Sequence, residues 1–131
     1  MIYLPYLNGE RTPHVDPNCR GVFFGLSSMH TTADMARAVM EGIQYSLTDC
    51  NDIIKEMGIE VSEMMACGGG AKNAVQRQMM ADMFGCDVKT VTATEGPALG
   101  VAILAGVGAG LYESVESACR QMIHTDPAKE C

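Results

Sequence analysis

The sequence predicts an α/β layer architecture, with helices packed on a small mixed sheet. Short β-rich runs alternate with segments whose apolar residues recur every three to four positions. Glycines punctuate the junctions, and the β-branched run at 88–92 lies between helical segments.

Residues 1–7, rich in Ile, Tyr and Leu, read as a short strand entering the polar loop Asn8-Gly9-Glu10-Arg11-Thr12-Pro13-His14-Val15-Asp16-Pro17. Residues 21–26, bounded by glycines, form a second brief extended stretch. A long helix follows. Thr31 with Asp34 three residues on resembles a capping box, and Ala36, Val39, Met40, Ile43, Leu47, Ile54 and Met57 mark a face to be buried before Gly58 stops the run. Residues 61–67 read as a strand and 73–84 as a helix with Val75, Met79, Met80 and Met83 on one side, ended by Gly85. Residues 88–92 read as another strand. Gly96-Pro97 then opens a helix whose Ala98, Gly100, Ala102, Ala105, Gly106 and Gly108 suit close packing on a sheet. A last helix spans 114–123, and Thr125-Asp126-Pro127 ends the ordered part. So few strands beside so many helices leave sheet edges and helix faces unsatisfied, as expected of part of a larger protein.

At 131 residues, 47% of them hydrophobic, the chain has room for one ordinary domain with a core. A formal charge of −7 with only nine basic residues argues against nucleic acid as a partner. Cys19, Cys50, Cys67, Cys86, Cys119 and Cys131 include no C-x-x-C pair, and His14, His30 and His124 lie far apart, so neither a zinc site nor a disulfide framework is expected. Eleven methionines and free thiols without a signal peptide fit the cytoplasm. The longest apolar stretch, 97–112, is broken by four glycines and falls short of the roughly 20 apolar residues of a membrane span.

The motif that carries chemistry is Cys67-Gly68-Gly69-Gly70-Ala71-Lys72-Asn73-Ala74-Val75, a strand, a tight glycine turn and a helix start. Glycines permit positive φ and close approach of a ligand, while a helix start offers unpaired N–H groups and the positive end of its dipole to phosphate. A tight strand-to-helix turn requires glycine even without a ligand, so this motif gains weight only from its companions.

Those companions are Gly9-Glu10-Arg11-Thr12-Pro13 with Asp16-Pro17 and Arg20-Gly21; Gly21-Val22-Phe23-Phe24-Gly25-Leu26 followed by Asp34-Met35 and Ala38-Val39-Met40-Glu41; and Thr94-Glu95-Gly96-Pro97-Ala98-Leu99-Gly100-Val101-Ala102. In order and spacing these blocks, with the glycine turn, resemble the carboxy-terminal lobe of the FGGY family of carbohydrate kinases, most of all its xylulokinase-like members, over nearly the whole chain. The resemblance implies an actin-like, ribonuclease-H-like fold in which two lobes close on ATP and a sugar, this chain (residues 1–131) supplying the ATP side. It implies transfer of the γ-phosphoryl group of MgATP to a ketopentose, D-xylulose giving D-xylulose 5-phosphate. Gluconate, glycerol and fuculose are the alternative substrates within the family. Gly69 and Gly70 lie where family members set backbone against the nucleotide, Gly68 shapes the turn, and Asn73 stands at their nucleotide-contacting helix start. Many xylulokinases carry serine there, glycerol kinases and some xylulokinases asparagine, so the sugar is not decided by it.

The family's Asp-x-Gly-Thr-type phosphate motif, catalytic aspartate and most sugar-binding groups have no counterpart in this sequence, and no catalytic or metal-binding residue is assigned to it. The Mg²⁺ ligands are expected on the other lobe. Met1 is read as the start of a fragment lacking that lobe and the first strands of its own, inactive alone. A noncatalytic assembly module, paired with a partner chain or self-associating as a homo-oligomer, is the competing reading; another actin-like ATPase is disfavoured by the Gly-Glu-Arg-Thr-Pro and Thr-Glu-Gly-Pro blocks. Glu10, Arg11 and Asp16 either line a cleft or form a solvated loop with local ion pairs. Lys72 either reaches a phosphate or faces solvent. Glu41 is expected to cap or brace the neighbouring strand turn, His30 to be structural, and Glu95 to favour a helix start through the dipole.

Overall fold

The computed structural model describes residues 1–91 and 96–126. The chain resolves into two compact units, residues 1–61 with 82–85, and residues 62–81 with 86–131.

In the first unit β1 (Ile2–Leu4) pairs antiparallel with β2 (Val22–Phe24), Tyr3 opposite Phe23 with ring centroids 4.6 Å apart. Side chains tie down the loop between them by bonding to its backbone. The Glu10 carboxylate accepts from the N–H groups of His14 (2.7 Å) and Val15 (3.0 Å), and Asp16 accepts from that of Asn18 (2.8 Å). Arg20 donates to the carbonyls of Pro17 (2.9 Å) and Cys19 (2.6 Å). The expected local ion pairs are thus replaced, among the described residues, by hydrogen bonds to backbone, which hold a loop more firmly than exposed charge pairs do. His30 is structural as expected, its Nδ1 accepting from the Ser27 N–H at 3.0 Å.

The long helix α1 (Thr32–Glu56) starts on the expected capping box: Asp34 N–H donates to Thr31 Oγ1, and Asp34 Oδ2 accepts from the Thr31 N–H at 2.7 Å. It ends in a Schellman pattern, Gly58 (φ +80°) donating to Lys55 O and Ile59 to Ile54 O. Its buried residues are Ala38, Gly42, Gln44 and Asn51, whereas Ile43, Leu47, Ile54 and Met57 of the expected face are exposed. The helix meets β1 through small residues: a Cβ on Gly42 would collide with the Tyr3 carbonyl oxygen. That close approach, rather than the larger side chains, chooses the inward side. Glu41 pairs with Arg37 one turn earlier, Nε to Oε1 2.6 Å, instead of bracing a strand turn.

In the second unit β3 (Glu63–Ala66) and β4 (Asp87–Thr90) run parallel, Glu63 opposite Asp87 and Ala66 opposite Thr90, with Glu63 and Lys89 ion-paired across them. Parallel strands need a crossover, supplied by a 3-10 turn (Gly70–Lys72) and helix α2 (Ala74–Phe84). Ala66, Ala71, Ala81 and Val88 form the core, flanked by Met64 and Met80. On α2, Met79, Ala81 and Phe84 are buried while Val75 is 52% exposed, so the inward side is displaced from the one its methionines suggested. Thr125 bridges to Val91, and Asp126 N–H donates to Thr90 O at 2.8 Å, covering part of the edge of β4. Helix α3 (Gly96–Gly108) packs on α4 (Val115–Met122), capped by Ser114. Gly106 lies against the Tyr112 ring, whereas Cβ atoms on Gly100 and Gly108 would meet nothing within 4 Å among the described residues.

The strands therefore form two two-stranded sheets among the described residues, not one mixed sheet. Cys19, Cys50, Cys67 and Cys119 are free thiols. Burial and the neighbouring Asp16 push the Cys19 thiol above its ordinary value, away from reactive thiolate. No helix is long and apolar enough to cross a membrane among the described residues.

Candidate functional site

The glycine turn follows β3 directly. Gly68 takes φ +83°, a conformation that side chains resist, and reverses the chain out of the strand. Gly69 is right-handed helical (φ −63°, ψ −40°). A Cβ on Gly69 would meet nothing within 4 Å among the described residues, so neither backbone angle nor their packing demands glycine there. What a side chain would fill is the open space in front of the turn. A Cβ on Gly70 would meet the Gln76 amide at 3.6 Å, an ordinary contact.

The carbonyls of the turn are engaged in sequence: Gly69 O accepts from Lys72 N–H (3.2 Å), Gly70 O from Asn73 N–H (3.3 Å) and Ala71 O from Arg77 Nη1 (2.6 Å). Asn73, extended at φ −84° and ψ 118°, caps α2: its Oδ1 accepts from Val75 N–H (2.9 Å) and Gln76 N–H (3.4 Å). Two N–H groups that the helix start was expected to offer a phosphate are thereby already used. Lys72 is exposed and extends the choice between solvent and ligand no further. Gly68, Gly69, Gly70 and Asn73 stand together on one strand-to-helix junction, and the start of α3 adjoins it, a Cβ on Gly96 falling 3.5 Å from Cys67 Cβ. Thr94 and Glu95 lie outside the described residues.

Gly96 also opens an apolar hollow of about 320 Å³ lined by Val91, Leu99, Ile103, Val115, Cys119 and Ile123, among others. The glycine turn is not part of its wall. Among the described residues no cluster of three or more His, Cys, Asp or Glu is placed to hold a metal ion. Sequence reasoning missed Arg77 and the capping role of Asn73. The second was readable, since asparagine before a helical run is a standard start signal.

The solved structures that this chain resembles are kinases with an actin-like ATPase fold. Ligand-bound xylulose kinase from Lactobacillus acidophilus matches with a TM-score of 0.84 and 35% identity, over 98% of this chain and 26% of that one. Plasmodium falciparum glycerol kinase with ADP matches with a TM-score of 0.79 and 26% identity, over 97% of this chain and 26% of that one. The pattern of the FGGY family of carbohydrate kinases, C-terminal domain, fits residues 1–109, and the chain belongs to that family. Xylulose kinase from Staphylococcus epidermidis is 45% identical over 99% of this chain, which spans 26% of that relative's length.

Proposed function

We propose that residues 1–131 are the carboxy-terminal, nucleotide-binding portion of a kinase that transfers the γ-phosphoryl group of MgATP to D-xylulose, giving D-xylulose 5-phosphate. The observation that carries this reading is Gly69, a glycine required by neither φ nor packing and facing open space. Backbone at Gly69 and Gly70 receives the nucleotide, Gly68 sets the turn, and Asn73 fixes the start of α2. This chain binds and orients; the base, the Mg²⁺ ligands and the sugar pocket belong to the rest of the kinase. Phosphoryl transfer depends on positioning and charge stabilisation, so a displaced nucleotide costs rate even when the base is intact.

The likeness to xylulose kinases supports D-xylulose as the acceptor, and the solved glycerol kinase with ADP supports a nucleotide as a ligand of such a kinase. The exposed Ile43, Leu47, Ile54 and Met57 of α1 fit a surface that meets the rest of such a kinase. A chimera tests the reading: this chain replaces the matching quarter of the Staphylococcus epidermidis xylulose kinase, and ATP-dependent phosphorylation of D-xylulose is followed. The expected result is an active chimera that Gly69→Val inactivates by more than about tenfold in kcat/KM for ATP. A folded chimera indifferent to Gly69→Val contradicts it.

A further inference from the structure

Arg77 sits one turn into α2, in a first turn that carries no acidic residue. A cation so near a helix N-terminus is opposed by the helix dipole, so helix stability does not account for it. Its side chain turns back toward the start of the helix, and Nη1 reaches the carbonyl of Ala71 at 2.6 Å, a short, charge-assisted bond. Ala71 is 5% exposed and part of the core, which makes it a fixed point rather than a mobile one. The backbone N–H of Arg77 itself donates to Asn73 O at 3.0 Å. Arg77 thus holds the peptide after Ala71 with its side chain and the helix cap with its backbone.

We propose that Arg77 is a positioning residue that locks the Gly69–Ala71 turn in one geometry, so that the backbone at Gly69 and Gly70 meets a nucleotide already arranged for it. The consequence for nucleotide rests on the reading of the site given above; the locking of the turn does not. Without the guanidinium, Ala71 O loses its side-chain partner, and the peptides on its amino-terminal side gain freedom that binding must then remove. Arginine is suited to the task because its charge persists at any physiological pH and its planar fork loses little freedom on bonding.

The test compares the wild-type chain with Arg77→Met and Arg77→Lys, by amide hydrogen exchange without ligand and by calorimetric titration with ADP. Arg77→Met is expected to speed exchange at residues 68–73 about tenfold while the amides of β3 and β4 keep their rates, and to weaken ADP about tenfold. Arg77→Lys is expected to recover part of both, which a loss of packing alone would not produce. Unchanged exchange in the turn overturns the proposal, as does a speeding spread uniformly over the unit. Faster exchange in the turn with ADP affinity equal to wild type overturns the positioning role. If the wild type itself ignores ADP, the nucleotide reading fails, and the exchange data still decide the brace.

Discussion

Asn73 caps α2 with its side chain. Its Oδ1 satisfies the N–H groups of Val75 and Gln76, leaving Nδ2 to donate elsewhere. Asn73→Ala is therefore expected to destabilise the second unit by about 1 kcal/mol, read from chemical denaturation, and Asn73→Ser to cost less because serine retains a capping oxygen. At the other end of the chain, hydrogen bonds from the Thr31 backbone N–H, and then its hydroxyl, hold the Asp34 carboxyl below its ordinary value of 3.8. A carboxyl whose value is lowered by folding stabilises the fold fully above its unfolded value and loses that contribution as pH falls through the folded one. The melting-temperature gap between wild type and Asp34→Ala should hold steady above about pH 5 and close on acidification below about pH 4; a gap that widens on acidification contradicts the sign.

At the scale of elements, α1 shows where pattern and packing part company. Spacing located the helix, and Thr31, Asp34 and Gly58 located its ends, because caps act on neighbouring backbone and are local in sequence. The buried side was not legible. Gly42 is inward because β1 comes too close for anything larger, a fact about tertiary approach that hydrophobicity does not encode. Gly42→Ala should accordingly destabilise the first unit by about 2 kcal/mol in thermal or denaturant unfolding, against the usual gain in helix propensity. A stabilised variant would mean that β1 yields. Gln44 and Asn51 are also buried, their amides lacking hydrogen-bond partners among the described residues, a costly arrangement that no sequence pattern announces. The glycine turn was legible for the opposite reason: Gly68-Gly69-Gly70 act through backbone freedom, visible in any single sequence. Arg77 was not, because its partner is a carbonyl, and every residue has one.

For the molecule as a whole, the strands expected to share a sheet divide between two units, and large apolar side chains stay exposed on α1 and α3. A chain spanning about a quarter of its relatives is expected to leave such faces for the remainder of the protein to cover. On the function proposed above, its share of catalysis would be to present the glycine turn to a nucleotide. The direct test is a titration of ADP and ATP into the wild-type chain and into Gly69→Val, followed by calorimetry and amide chemical shifts. Saturable binding by the wild type, with shifts centred on residues 68–73 and loss of affinity in a Gly69→Val chain that remains folded, is the predicted result. A folded wild-type chain that leaves these amides unmoved at millimolar nucleotide would contradict it.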